Sequence, residues 1–593
     1  MPYRTHVMVC AGTECATNQS FKIKEVFEEE LKKKELQNEV LIVMTGCKGS
    51  CAVGPVVIVM PDEVFYQKVK PEDVPHLVEE HLLKGRPVQK LMYKPPEEKV
   101  PVPTLSDIDF FKRQTLIVLR NRGLIDPEKI DEYIARDGYK ALAKALSQMK
   151  PQEVIEEIKK SGLRGRGGGG FPTGRKWESR AKMEGDFKYI VCNADEGDPG
   201  AFCDRSAIES DPHSVLEGMI IGAYAIGACK GYIYTRNEYP LAIERLEKAI
   251  DAAREYGLLG EGIFDTNFSF DISIFRGAGA FVCGETTALV ASIEGKPPEP
   301  RQRPPRTALW GRPTVINNVE TWATVPQIIL RGSEWFASIG TEKSKGTKIF
   351  SLVGNINDAG LVEVPMGITL REIIYEIGGG IPKKKKFKAV QTGGPSGGCL
   401  PESLLDQPVD YDSLIEAGSM MGSGGMIIMD ENTCMVDVAR YFTNFLKDES
   451  CGKCASCRDG LIAMSDVLED ICKGEGKESD IELLEDLAQT VSSASLCGLG
   501  KTAGNPVRST LRYFKDEYLA HVKDKKCPGG VCKVLIEYHI DAEKCKACGL
   551  CIKACPNEAI TGAKKTAHVV EQAKCLKCGA CHEACKFEAV VIR

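Results

Sequence analysis

With 593 residues, a net charge of −6 and 43% hydrophobic residues, the chain has room for about four domains and shows no global bias toward nucleic acid or anionic lipid. The opening MPYRTHVMVCAGTEC lacks the charged and apolar regions of a secretory leader, and no stretch reaches the about 18 uninterrupted apolar residues of a membrane span, so a cytoplasmic protein is expected. Twenty-five cysteines crowded into short arrays read as metal ligands rather than disulfides in a reducing compartment.

Residues 1–95 read as a small α/β unit. Strands are expected over 3–10, 40–44 and 56–60, and a helix over 21–37 with Phe21, Val26, Phe27 and Leu31 near one face. Cys10 and Cys15 (C-x4-C) and Cys47 and Cys51 (C-x3-C) stand at strand-to-loop boundaries, where two pairs can converge on one [2Fe–2S] cluster. Zinc or a redox dithiol is the alternative. Both spacings resemble those of the thioredoxin-like [2Fe–2S] ferredoxin.

The proline-rich, charged residues 94–104 read as a semi-rigid spacer that opens a linker over 96–125. Helices near 127–136, 138–148 and 151–161 follow and lead into GLRGRGGGGFPTGRKW, residues 162–177. Six glycines within nine residues, flanked by Arg164, Arg166, Arg175 and Lys176, let the backbone approach a phosphate closely while basic side chains neutralise it. The spacing is neither a Rossmann fingerprint nor a P-loop. Phe171-Pro172 and Trp177 argue against a flexible linker.

Downstream, a buried-strand run over 189–192 enters Asn193-Ala-Asp195-Glu196-Gly-Asp198. A second glycine cluster leads through Gly284-Glu285-Thr286-Thr287 into an apolar helix, and Pro313–Thr321 forms the third element. Together with the first glycine loop, these stretches resemble the NADH-binding, FMN-containing 51-kDa-type flavoprotein subunit of respiratory complex I, over residues 126 to about 525. The resemblance implies an FMN and NAD(P)-binding domain over 126–345. Gly165, Arg166, Gly167, Lys176, Asn193, Asp195, Gly284, Asn317 and Asn318 are its expected flavin contacts. It also implies that Phe171 lies against the adenine and that Asp198 and Glu285 lie on the nicotinamide side, setting position rather than moving protons. The family's second acid is replaced by Thr286, and Arg175 and Arg180 are additions. Removing a carboxylate and supplying guanidinium donors suits a 2′-phosphate, so NADP(H) is expected to be accepted beside NAD(H).

Short alternating strands over 348–353 and 360–364 and a helix over 369–377 suggest a β-grasp-like (SLBB) module over 346–430. Its Lys383–Lys386 run is either a solvated loop or a dock for an acidic partner. A helical domain over 431–525 carries Cys451, Cys454 and Cys457 with the distant Cys497. Three thiolates from one turn cap one face of a [4Fe–4S] cuboid and the fourth closes it.

The chain then extends past the complex I subunit. A two-cluster ferredoxin over 541–593 is read from an internal repeat in which each cysteine of the first run recurs 30 positions later. The bacterial two-cluster ferredoxin it resembles implies crossed ligation: Cys545, Cys548, Cys551 and Cys585 on one [4Fe–4S] cluster, and Cys575, Cys578, Cys581 and Cys555 on the other. At the junction, 526–540, Cys527, Cys532 and His539 with Cys472 form a Cys3His set suited to structural zinc, with stray thiols as the alternative. Cys192, Cys203, Cys229, Cys283, Cys399 and Cys434 read as core thiols.

The fold class is therefore multidomain α/β. Its layout is similar to the NAD(P)/FMN subunit of electron-bifurcating [FeFe]-hydrogenases, which implies an [FeFe]-hydrogenase catalytic subunit, a small [2Fe–2S] subunit and ferredoxin as partners in a hetero-oligomer. The alternatives are the diaphorase subunit of an NAD(P)-dependent formate dehydrogenase or of a non-bifurcating hydrogenase, and, from another class, a flavin-free electron wire.

Overall fold

The computed structural model describes residues 3–96, 98, 100–302, 308–563 and 565–593. Two compact units emerge, one running to Ile428 and including Leu496–Gly498, the other made of Met429–Ser495 and Leu499–Arg593. No helix among the described residues is long and apolar enough to cross a membrane.

The first unit opens with a four-stranded sheet in the order Val40–Thr45, Thr5–Cys10, Val57–Met60, Val64–Tyr66, its first pair parallel and the others antiparallel. The helix Ser20–Lys33 buries Ile23, Phe27 and Leu31, an i, i+4, i+8 stripe. Phe21, expected on that face, is 47% exposed, because it lies two residues out of step with the stripe.

The expected linker is only partly a spacer. Glu97 and Lys99 lie outside the described residues. Beyond them Phe110, Ile117, Val118 and Leu119 are buried, and the Glu363 carboxylate accepts from the backbone N–H groups of Val118 and Leu119 at 3.1 and 2.9 Å. Enough apolar side chains follow the prolines to make this segment core.

The central sheet runs Asp271–Gly277, Lys230–Arg236, Tyr189–Ala194, Arg312–Asn318, Ala308–Leu309, with the first four strands parallel. The chain order reverses at Tyr189–Ala194, which has the second strand on one side and the fourth on the other. In open parallel sheets the crevice at such a reversal, beyond the carboxyl ends of the strands, is where ligands sit. Trp177, fully buried, lies 5.5 Å from Trp322 between ring centroids and anchors the helix Thr173–Ala181 that follows the glycine loop.

The β-grasp-like module has a five-stranded sheet in the order Gly360–Pro365, Thr347–Gly354, Gly425–Asp430, Phe387–Thr392, Gly398–Pro401. The second unit begins with helices Met435–Asp448, Ala455–Cys472, Ser479–Ala494 and Asn505–Leu519. It ends with the cysteine repeat, whose strands Tyr538–Ile540 and Val590–Ile592, and Ile560–Thr561 and Val569–Val570, pair antiparallel.

Candidate functional site

A cavity of about 550 Å³ opens at the sheet's reversal point, within the usual range for a cofactor pocket. Gly165, Gly167, Gly169 and Gly170 line one wall, and Asn193, Thr314, Ile316, Asn317 and Asn318, from the two strands that flank the reversal, line another. Phe171, Arg175, Lys176, Ser179, Arg180, Gly284 and Thr286 complete it. Gly169 is exposed on this wall, and a Cβ added there would meet nothing within 4 Å. Asn317 Oδ1 accepts from Lys176 Nζ at 3.1 Å, whereas its Nδ2 is buried without a hydrogen-bond partner among the described residues. That donor, the glycine backbone and the cations together suit a phosphate-bearing nucleotide.

Four of the expected residues do not line this cavity. Arg166 is 1% exposed; its guanidinium donates to the carbonyls of Thr347, Arg164 and Lys345 at 2.9, 2.7 and 2.6 Å, bracing the loop instead of facing a phosphate. Asp195 faces Arg236 at 3.6 Å. Asp198 accepts from the Ser423 hydroxyl, and burial lifts its carboxyl to about 6. Glu285 is the N-cap of the helix Thr286–Ile293, accepting from the N–H groups of Thr287 and Ala288 at 2.7 and 3.0 Å. A carboxylate at that position satisfies the helix's first donors. Sequence reasoning missed Thr314 and Ile316, which reach the cavity only because their strand lies beside Tyr189–Ala194.

Behind the cavity wall, Asn318 spends its side-chain amide on the protein: Oδ1 accepts from Glu320 N at 2.9 Å and Nδ2 donates to Asp204. Burial raises the carboxyl groups of Asp204 and Glu196. The Lys348 ammonium, fully buried, pairs with Glu320.

In the amino-terminal domain Cys10, Cys15 and Cys47 are buried and Cys51 is half-buried. The neighbouring Cys15 thiol lifts the Cys10 thiol to about 12, and the neighbouring Cys10 thiol does the same to Cys47. Such a set of packed thiols suits an ion that replaces their protons.

In the second unit Cys454 caps the helix Ala455–Cys472 and Cys457 lies in its first turn, with Ser450 Oγ 3.5 Å from its sulfur. Cys497 belongs to the first unit. The repeat forms two hollows. One is lined by Cys545, Cys548, Cys551 and Cys585; the other by Cys555, Cys575, Cys578 and Cys581. Each hollow takes three sulfurs from one half of the repeat and one from the other, a donor set that fits a cuboidal cluster.

The expected Cys3His set is different in composition. Cys434, His521, Cys527 and Cys532, all buried, bring their donor atoms within 4.8 Å of one another. His521 Nε2 is 3.3 Å from Cys434 Sγ, and its Nδ1 is 2.7 Å from the Glu517 carbonyl; that bond fixes the tautomer and leaves Nε2 as the ligand atom. Backbone N–H groups of Val531 and Cys532 point at Cys527 Sγ at 3.3 and 3.4 Å. Gly529 is required here, since a Cβ would stand 2.6 Å from the Cys434 nitrogen. His539 instead pairs with Glu537 at 3.1 Å on an edge strand, and Cys472 lies beside Cys532 without joining the tetrad. Cys434 is thus not an idle core thiol, and Cys229 is exposed. Neither Cys434 nor His521 stands in a ligand spacing, which is why the sequence alone does not single them out.

Residues 158–327 match the Nuo51 FMN-binding domain, 437–521 the NADH-ubiquinone oxidoreductase-F iron-sulfur binding region, and 2–82 the thioredoxin-like [2Fe–2S] ferredoxin. An SLBB domain matches 349–400 and a 4Fe-4S binding domain 538–561. The NADP-reducing hydrogenase subunit HndC of Solidesulfovibrio fructosivorans is 56% identical over 460 residues, 77% of this chain and 94% of that protein. An NADH-quinone oxidoreductase subunit of Rhizobium meliloti is 48% identical over 415 residues, 70% of this chain and 99% of that protein. Among solved structures, an NAD+-reducing [NiFe]-hydrogenase in the H2-reduced state superposes with a TM-score of 0.62 at 27% identity, covering 88% of this chain and 85% of that one.

Proposed function

The chain belongs to the family of FMN-binding, NADH-linked 51-kDa-type flavoprotein subunits, an oxidoreductase family, and from that premise we propose that it exchanges hydride with NAD(P)(H) at the glycine-walled cavity and relays electrons through iron–sulfur clusters to a hydrogenase partner. FMN, when bound, supplies the exchange between a hydride pair and single electrons that neither nucleotide nor cluster performs alone. The protein's own part is to bind and orient. The glycine backbone and Lys176 receive phosphate, Asn317 and Asn193 set the ring edge, and Phe171, 55% exposed, offers a face to an adenine. Glu285 and Asp198 act through the elements they hold, the first by capping the helix behind Thr286 and the second by tying its loop to Ser423.

Arg175, Arg180 and Thr286 line the same cavity, which supports acceptance of NADP(H) as well as NAD(H); the relative from Solidesulfovibrio is described as NADP-reducing. The clusters proposed are one [2Fe–2S] on Cys10, Cys15, Cys47 and Cys51, and three [4Fe–4S] on the carboxyl-terminal cysteine sets. The tetrad of Cys434, His521, Cys527 and Cys532 is proposed to hold a structural zinc ion. Ferredoxin as a second redox partner, an [FeFe] type of hydrogenase subunit and electron bifurcation complete the proposal.

The observation that carries the reading is the cavity itself, a nucleotide-sized hollow at the reversal of a parallel sheet. Anaerobic purification with bound partners, followed by flavin, iron and zinc quantification and rates with both nucleotides, tests it. One FMN per chain and bleaching of its absorbance by NADH or NADPH are expected; material with full iron and no flavin leaves only the electron-wire alternative.

A further inference from the structure

The carboxyl-terminal repeat is built from two equivalent halves, so residues 30 positions apart occupy corresponding places. Tyr538 and His568 are such a pair. Each lies against one hollow: Tyr538 lines the one formed by Cys555, Cys575, Cys578 and Cys581, His568 the one formed by Cys545, Cys548, Cys551 and Cys585. The two side chains differ in what they offer. His568 is 4% exposed and its Nδ1 stands 3.2 Å from Cys551 Sγ. The Tyr538 hydroxyl makes no hydrogen bond to a cysteine sulfur among the described residues.

Backbone N–H groups reach sulfur at both hollows, once at the hollow of Cys585 and twice at the hollow of Cys555 and Cys575 among the described residues. Ala589 N reaches Cys585 Sγ and Ala559 N reaches Cys555 Sγ, both at 3.3 Å, and Lys577 N reaches Cys575 Sγ at 3.4 Å. Among the described residues, the imidazole is the side-chain hydrogen-bonding contact to a cysteine sulfur that one hollow has and the other lacks. The fold makes room for it. Gly562 packs on His568, and a Cβ there would stand 2.0 Å from the ring; the corresponding position in the other half is Ile592.

We propose that His568 is a positioning residue that sets the reduction potential of the cluster held by Cys545, Cys548, Cys551 and Cys585, so that the two clusters of the repeat accept an electron at different potentials. A sulfur bound to iron has no proton to give, so Nδ1 carries the hydrogen and donates it. Reduction adds one electron and one negative charge to the cluster, with no bond broken. An N–H dipole aimed at a sulfur ligand stabilises that added charge and raises the potential. The inference rests on the reading that both hollows hold [4Fe–4S] clusters.

The test uses the full chain, reconstituted anaerobically. Iron content and the reduced electron paramagnetic resonance spectrum of the wild type settle whether both clusters are present. Redox titration of His568→Leu is then expected to lower the midpoint of one cluster by about tenfold in its one-electron equilibrium constant, about 59 mV, leaving the other in place. His568→Gln, which keeps an N–H donor, is expected to restore most of that difference. With 15N-histidine in the wild-type protein, a hyperfine coupling to nitrogen is expected in one reduced cluster only. Equal movement of both midpoints, or none at unchanged iron content, overturns the proposal. If the leucine variant loses iron, absence of the nitrogen coupling in the wild type overturns it equally.

Discussion

Cys434 and His521 stand 87 positions apart in the chain, yet their Sγ and Nε2 atoms are 3.3 Å apart. With Cys527 and Cys532 they form a closed tetrahedral-type donor set, and a closed set of three thiols and one imidazole suits a structural ion without an open coordination position.

One zinc per chain is therefore expected beside the iron, and Cys434→Ser or His521→Ala should remove it while leaving iron content unchanged. Because ion binding adds to folding, the loss in stability of the helical part should be of the order of several kcal/mol. Element analysis by mass spectrometry and limited proteolysis check both. Retention of zinc in both variants would falsify the tetrad, and the same loss in His539→Ala would return the site to its first composition.

Gly169 borders the cavity and has free space where a Cβ would go. Gly169→Val should weaken FMN binding to the flavin-free protein at least tenfold, about 1.4 kcal/mol, with little change in thermal midpoint. Quenching of flavin fluorescence on titration measures it. An unchanged dissociation constant would place the isoalloxazine and phosphate elsewhere.

Arg180 spends Nε on the Thr314 carbonyl at 3.2 Å and one terminal nitrogen on Ser179 at 2.9 Å, which holds its guanidinium on the cavity wall, while Arg175 is exposed at the rim. Replacing both with glutamine should reduce kcat/KM for NADPH about tenfold more than for NADH, a difference of about 1.4 kcal/mol. Equal losses with the two nucleotides reject the 2′-phosphate role.

His213 is 1% exposed, and burial lowers its imidazole from 6.5 to about 4. Between those values the unfolded chain binds a proton that the folded chain does not. Stability of the first unit should therefore fall as pH drops from about 6.5 toward 4, by about 1–3 kcal/mol from this group. His213→Gln should flatten that part of the profile relative to wild type. The buried carboxyls Asp211 and Glu217 nearby are shifted upward and contribute slope of the opposite sign, so the difference between the two proteins is the quantity to follow by denaturant titration.

Much of the architecture was legible because its signals are local. The stripe Ile23, Phe27, Leu31, the proline that opens Pro151–Lys160 and the C-x2-C-x2-C triplets all place their partners within a few residues along the chain. The crossed sharing of Cys555 and Cys585 between hollows was readable from the repeat and the ferredoxin it resembles. By contrast, Arg166, Asp198 and Glu285 looked like ligand contacts since they are charged and flank glycine loops. Which of them faces the hollow depends on the carbonyls, hydroxyls and helix ends that packing brings to them, and chain spacing does not reveal those.

What the amino-acid order determined by itself was the succession of segments, the C-x2-C-x2-C runs with their repeat and a nucleotide loop, each specified by short-range spacing. Tertiary structure alone decided that Cys434 meets His521, that Glu285 ends as a helix cap, and that His568 rather than Tyr538 stands within reach of a cysteine sulfur. A hydrogen bond or a ligand shell is satisfied by whatever donor lies within about 3 Å, and chain folding, not chain distance, selects that donor.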